Sequence, residues 1–313
     1  MNADRLTAML AEHEMWLTVE RGLAVNSLAA YRRDLRRYEE YLRARGIDDP
    51  RAVGEATVSA YVDHLGRLTV ADGEGHLAPA SIARGLVAVR SFHRFCVSEG
   101  LLESDPSEQV GAPRVPQGIP KALDEGEIDA ILRSVVGDGP REQRDRAILE
   151  VLYATGVRIS ELMGLDLADI DLDDGMARVL GKGDKERVVP MGRAARAELG
   201  RYCGDGRLAL RSSRGRRRDS DAVFLNARGG RLTRQGCWQI VRRAGERVGL
   251  GEQLSPHVLR HSCATHMLDH GADIRVVQEL LGHASVSTTQ VYTKVSPDRL
   301  RAVYESAHPR ARG

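Results

Sequence analysis

Aromatic residues make up 4% of these 313 residues, so any core must be built mainly from Leu, Val, Ile and Ala. Cysteine is sparser still, with four residues. Cys96, Cys203, Cys237 and Cys263 are scattered and no CxxC occurs, which argues against a disulfide framework and for a reducing compartment. No apolar run approaches the roughly 18 residues of a membrane span. The N-terminal MNADRLTAML carries charge where a signal peptide would have its apolar core. These absences predict a soluble, cytoplasmic protein with no membrane contact. There is also no GxxxxGK[ST] phosphate loop and no cluster of acidic metal ligands, so neither ATP nor a metal is expected as a cofactor.

What is present suits two globular domains: 42% hydrophobic and 29% charged residues. The net charge of +2 hides an uneven distribution. Seven Arg and one Asp lie between Arg201 and Arg218. Such a run is usually a solvated loop, and a phosphate-facing loop is the sharper reading.

Helical periodicity predicts helices over 5–20, from a cap at Asn26-Ser27 to about 45, over 55–68, and from a cap at Ser81 through Ile82, Leu86, Val89 and Cys96. Pro106, Pro113, Pro116 and Pro120 then remove backbone donors and disfavour helix. The expected organisation is a helical domain over 1–106, an extended linker over 107–121 and a second domain over 122–313. In the second domain Asp124 caps a helix, and Gly156 closes another over 141–155. A short helix follows from Ile159. GKGDKE turns between short β runs at 176–180 and 187–190, a hairpin signal. Further helices are expected over 194–202, 233–248, 256–270, 274–281, 287–292 and 297–306. The fold class is mainly α with a small antiparallel β-sheet.

Several residues stand where chemistry is possible. In PHVLRHSCATH, His257 and Arg260 are three apart on one helical face. A guanidinium fork can hold two phosphate oxygens and an imidazole can move a proton near neutral pH. His257 and His261 also have the i, i+4 spacing of a zinc helix. Val258, however, sits where a zincin carries its catalytic Glu, so no metal site is assigned. Gly282-His283 reads as a helix end and a turn, and Tyr292 follows nine residues later. Arg158 lies at a helix junction with Glu161 three residues on, and Lys182 sits in the hairpin. Taken singly, each has an ordinary reading: a packed tyrosine, a surface ion pair, a solvated lysine.

Taken together, the segments ATGVRISEL, GKGDKER, SPHVLRHSCATH and LGHASVSTTQVYT resemble the tyrosine recombinase (phage integrase) family, and within it the Xer chromosome-dimer recombinases. The order Arg, Lys, HxxR, His, Tyr is that family's order. SPHVLRH and HGADIRVVQELLGH resemble the XerD branch more than the XerC branch. The similarity runs over most of residues 4–309 and includes the closing AHPRA. The Arg-rich stretch over 207–218 is longer than the family's usual connection.

The resemblance implies a SAM-like N-terminal core-binding domain and an α/β catalytic domain, closing as a C-shaped clamp on DNA. It implies Tyr292 as nucleophile, forming a 3′-phosphotyrosyl intermediate. The phenol's reference pKa of about 10 lies roughly three units above neutrality, so its proton must leave during attack. His257 is the implied base. Arg158 and Arg260 would hold the non-bridging oxygens, His283 would donate to the phosphate, Lys182 would protonate the leaving 5′ oxygen, and Glu161 would support Arg158. DNA contacts are expected from Arg32, Arg33, Arg36, Arg37, Arg84 and Arg90, and from Arg234, Gln235, Arg242 and Arg243 on one helix, where Arg and Gln can read base edges. The implied partners are a double-stranded recombination site, a XerC-like recombinase in a heterotetramer and a DNA translocase regulator, all at the nucleoid. The last helix would dock on a neighbouring protomer. The alternatives are a XerC-like or mobile-element integrase, a type IB topoisomerase, and a protein that binds DNA without cutting it.

Overall fold

The computed structural model describes residues 5–68, 76–113, 122–181, 185–212, 221–282 and 296–311. Lys182, His283, Tyr292, the helix expected over 287–292 and Arg214–Arg218 lie outside the described residues. The chain divides into two compact units, Met1–Gln117 and Gly118–Gly313.

The first unit is helical: α1 (Arg5–Val19), α2 (Val25–Arg43), α3 (Glu55–Arg67) and α4 (Pro79–Ser98). Each helix buries one stripe, and Leu6, Tyr38, Leu42, Tyr61, Leu86 and Phe92 meet in a single core. Two caps differ from expectation. Ala24 precedes α2 and makes no side-chain cap, which places Asn26 and Ser27 inside the first turn. Pro79 starts α4 two residues before Ser81, because its fixed φ suits a first helical turn and its missing N–H has no role there. The core admits polar groups in pairs: the Tyr38 hydroxyl meets His93 Nε2 at 2.9 Å. Beyond α4, Ser107 and Val110 are buried in this same unit.

The second unit is built around α6 (Pro140–Thr155), whose last nine residues are all buried. It packs against α8 (Arg193–Arg201) and α11 (Pro256–Asp269). Ahead of it, α5 (Glu125–Arg133) starts with the expected Asp124 cap, reciprocated by Glu127. After it come α7 (Ile159–Gly164) and a three-stranded antiparallel sheet, β1 (Ile170–Asp171), β2 (Met176–Leu180) and β3 (Glu186–Pro190), in the order β1-β2-β3. Met176 pairs with Pro190 and Leu180 with Glu186, so β2 and β3 form the predicted hairpin. β1 was not foreseen, because two residues are too few to show an alternation. The unit is completed by α9 (Arg207–Ser212), α10 (Arg234–Arg247), α12 (Ile274–Leu281) and α13 (Pro297–Ala307). The described helices and small sheet agree with the expected fold class.

One expectation is corrected here. The start of the Arg-rich run is not a loop: α8 passes through a π-helical turn, Tyr202–Gly206, into α9. Arg207 is buried and donates to the Ala222 carbonyl at 2.9 Å, and Leu210 enters the core. Apolar Leu210 and Tyr202 at helical spacing outweigh the local charge. The last helix, α13, lies on its own domain. Leu300, Tyr304 and Ala307 are buried there, and the Gly192 N–H donates to the Tyr304 hydroxyl at 2.9 Å. Past α13, Arg310 forms an ion pair with Glu150. Among the described residues no helix is long and apolar enough to cross a membrane.

Candidate active site

The C-terminus of α12 gathers three guanidiniums. Arg187 donates through Nε to the Leu280 carbonyl at 3.0 Å, Arg260 through Nη2 to Leu281 at 2.6 Å, and Arg158 through Nη2 to Gly282 at 3.2 Å. A helix end leaves its last carbonyls unpaired and carries partial negative charge, so cations settle there. Gly282 allows the chain to end the helix at φ 65°, in the left-handed region. Gly156 does the same for α6 at φ 58°, and its carbonyl takes a second bond from Arg260, at 2.7 Å. Five segments therefore meet at one point: the end of α6, the start of α7, β3, α11 and the end of α12.

Glu161 lies at the middle. Its Oε2 accepts the Arg158 backbone N–H at 2.7 Å, capping α7, and its Oε1 accepts Arg158 Nη1 at 2.9 Å. Arg187 grips both oxygens, at 2.8 and 2.9 Å. Burial pushes the Glu161 carboxyl upward, but the bonds from Arg187 and from the Arg158 amide outweigh it and hold the group below the usual carboxylate value. Two guanidiniums thus bond the Glu161 carboxylate, and the third, Arg260, bonds only backbone carbonyls among the described residues. Burial first, and the neighbouring Arg158 second, lower the Arg260 guanidinium to about 10. It remains charged at neutral pH. A buried cation with too little negative charge around it favours an incoming anion. Arg158 and Arg260 each offer five N–H groups, and each spends two side-chain hydrogen bonds among the described residues. Among the described residues, both keep further N–H groups that no protein acceptor takes.

His257 is exposed in the first turn of α11, three residues before Arg260, where Ser255 caps the helix through the Val258 N–H at 3.3 Å. The residues preceding Lys182 and His283 in the sequence border the cluster. A Cβ at Gly181 would stand 3.7 Å from Glu161 Oε1, and one at Gly282 would stand 3.1 Å from the Arg187 guanidinium. Two histidines further along lead elsewhere. His266 Nδ1 meets the Tyr153 hydroxyl at 2.9 Å, and His270 pairs with Glu125 at 3.3 Å. Among the described residues no group of three or more His, Cys, Asp or Glu could hold a metal ion.

The candidate DNA-facing residues divide into two kinds. On α10, Cys237, Ile240, Val241 and Ala244 enter the core, which leaves Arg234, Gln235, Arg242 and Arg243 exposed. In the first unit, Arg32, Arg33 and Arg36 are exposed, with Arg32 paired to Glu14 at 2.5 Å and Arg36 to Glu40 at 3.8 Å. Arg84 forks onto buried Asp34 at 2.8 and 3.1 Å, with Arg37 beside it at 3.9 Å. Arg90 donates to the carbonyls of Ser107 and Val110, tying the chain beyond α4 to this unit. Two residues escaped the sequence reading. Arg187 looks like an ordinary strand arginine in ERVVP; only its half-buried place in an alternating strand hints otherwise. Trp238 is 41% exposed on α10, one turn from Arg242, whose guanidinium lies 5.4 Å from its ring.

Residues 121–299 match the phage integrase family, and residues 11–100 match the SAM-like N-terminal domain of phage integrases. The chain belongs to the phage integrase family. This family member is 51% identical over 300 residues to the tyrosine recombinase XerD of Mycobacterium tuberculosis, covering 95% of this chain and 96% of that one. It is 46% identical to the tyrosine recombinase XerD of Corynebacterium glutamicum, covering 95% and 97%. The solved XerH site-specific recombinase, bound to a palindromic difH substrate after cleavage, matches its fold with a TM-score of 0.65 at 22% identity over 95% of this chain and 84% of that one. This integrase-family chain is a tyrosine recombinase of the XerD type, a DNA strand-exchange enzyme.

Proposed function

We propose that Tyr292 attacks a backbone phosphorus at a recombination site, with the phosphate held against the Arg158–Arg260 cluster. The observation that carries this reading is the meeting of Arg158, Arg187 and Arg260 at the end of α12, where Glu161 bonds only the first two among the described residues, which leaves positive charge for a phosphate. The phenol oxygen forms a bond to phosphorus while His257 takes the phenol proton. The bond from phosphorus to the 5′ oxygen breaks, and Lys182 supplies that oxygen's proton. Charge grows on the non-bridging oxygens in the transition state, where Arg158, Arg260 and His283 stabilise it. The 3′-phosphotyrosyl link conserves the bond energy until the 5′ hydroxyl of another strand attacks and releases Tyr292.

The sequence order of these residues and the XerD relatives support a role in resolving chromosome dimers at segregation. The partner would be a XerC-like recombinase in a heterotetramer on DNA, under a DNA translocase, at the nucleoid in the cytoplasm. The two domains would close on the duplex as a C-shaped clamp, with Arg33, Arg36 and the exposed face of α10 toward it.

Covalent capture tests this. Wild-type protein expressed in bacteria should yield an SDS-resistant adduct with genomic DNA, and sequencing the attached fragments should return one recurring site. Tyr292→Phe should bind that site with unchanged affinity and give no adduct. Absence of any adduct from wild-type protein on a nicked duplex of the recovered or a related site would favour a DNA-binding protein without cleavage activity.

A further inference from the structure

We propose that Arg187 is a positioning residue for strand cleavage: it neutralises Glu161 so that Arg158 stays available to the phosphate, and it ties the β2–β3 hairpin to the end of α12. This deepens the cleavage reading above and rests on it.

The geometry of the three arginines separates their tasks. Arg187 directs its whole fork inward, with two bonds to Glu161 and a third from Nε to the Leu280 carbonyl. Its side chain is 15% exposed and the Glu161 side chain 2%. Arg158, at 36%, is the more open of the two arginines that share Glu161, and it meets that carboxylate through one guanidinium nitrogen. A bidentate fork from a charged donor is stronger than a single contact. Glu161 is therefore held mainly by Arg187, and Arg158 is left with donors to give.

Removing Arg187 would leave a buried carboxylate with half its partners. Such a group must either take a proton or draw its remaining cation closer. Either outcome disturbs Arg158, the first by loosening the α7 cap and the second by occupying donors the phosphate needs. A lysine in its place would restore charge but could not bond both Glu161 oxygens and the Leu280 carbonyl in one plane.

The second part follows from connectivity. Arg187 is the second residue of β3, the strand that leaves the hairpin holding Lys182, and it pairs with Val179 across the sheet. Leu280 is three residues before His283 in the sequence. One side chain thus joins the strand after one proposed catalytic residue to the helix before another.

The test is single-turnover cleavage of a nicked suicide duplex, built from the captured genomic site. It compares wild type, Arg187→Gln, Arg187→Lys and the double variant Arg187→Gln/Glu161→Gln from about pH 5 to about pH 8. Arg187→Gln should cleave roughly a hundredfold more slowly, the scale of a displaced catalytic group, with DNA affinity unchanged. Its rate should fall off at a higher pH on the acid side than that of wild type, because Glu161 loses the partner that keeps it ionised. Adding Glu161→Gln should recover part of the rate and return the acid limb to its wild-type position. Arg187→Lys, which keeps the charge, should fold and restore the wild-type acid limb at a lower rate. A loss equal at every pH, with no recovery in the double variant, would overturn the proposal and leave Arg187 as a structural strut. Failure of wild type to cleave would instead strike the cleavage reading. The Glu161 coupling would then be read from melting of the free protein, where Arg187→Gln must shift the acid-side loss of stability upward and the double variant must not. Lack of that shift would equally overturn it.

Discussion

Arg260 donates to the carbonyl oxygen of Gly156 at 2.7 Å, across 104 residues of sequence. The bond requires α6 to end in the left-handed region, since a continued helix would use that carbonyl itself. The backbone of one helix end therefore orients the guanidinium proposed to grip the phosphate.

Gly156→Ala should destabilise the catalytic domain. A side chain in the left-handed region costs about 1–2 kcal/mol. A Cβ there would also stand 2.6 Å from Leu281 Cδ2, against the helix that holds the site. Chemical denaturation should show a loss at least this large, with cleavage falling too. A variant as stable as wild type would mean that Leu281 moves aside freely.

Arg260→Lys keeps the charge and loses the fork. An ammonium cannot hold Gly156, Leu281 and a phosphate oxygen in one plane. Cleavage of a suicide duplex should drop by about 10²- to 10³-fold, while gel-shift affinity for the intact site stays near wild type. Equal losses in binding and cleavage would assign Arg260 to ground-state grip alone.

Three buried histidines set an acid limit on stability. Burial lowers His13 and His93 to about 4 and His308 to about 3. His308 Nδ1 accepts the Arg310 N–H at 3.0 Å, a bond that only an unprotonated Nδ1 can make. The unfolded chain binds protons at about pH 6.5, and the folded chain does so only near its lowered values. Stability should therefore be full above about pH 6.5 and decline as pH falls toward 4. Glu161, held below the ordinary carboxylate value, adds a further loss at the acid end. Denaturation midpoints taken stepwise in pH check this; a flat profile between pH 6.5 and about 4.5 would contradict it.

On α10, Arg234→Ala and Arg242→Ala should differ in kind. If Arg242 meets phosphate, its loss should weaken binding evenly across DNA sequences and reduce the salt slope by about one. If Arg234 reads a base edge, its loss should cost about 1–3 kcal/mol on the captured site and relax preference at one position. Fluorescence anisotropy on matched and single-mismatch duplexes, at several salt concentrations, separates the two.

Local signals were legible in this chain because their physics is local. Asp124 and Glu127 cap α5 within one turn, Gly156 and Gly282 end helices by their freedom at positive φ, and the hairpin register follows from alternation beside a Gly-rich turn. The ordered motifs from Arg158 to Tyr292 pointed to the family, because several matching segments in one order seldom arise by chance. The tertiary structure alone decided which charges would pair. Arg187 reaches Glu161 over 26 residues and Leu280 over 93, and Arg84 turns to Asp34 over 50. The side of α13 that is apolar could be read from spacing, but the surface that covers it could not. An ion pair between distant segments depends on how whole helices pack, and no window of neighbouring residues contains that information.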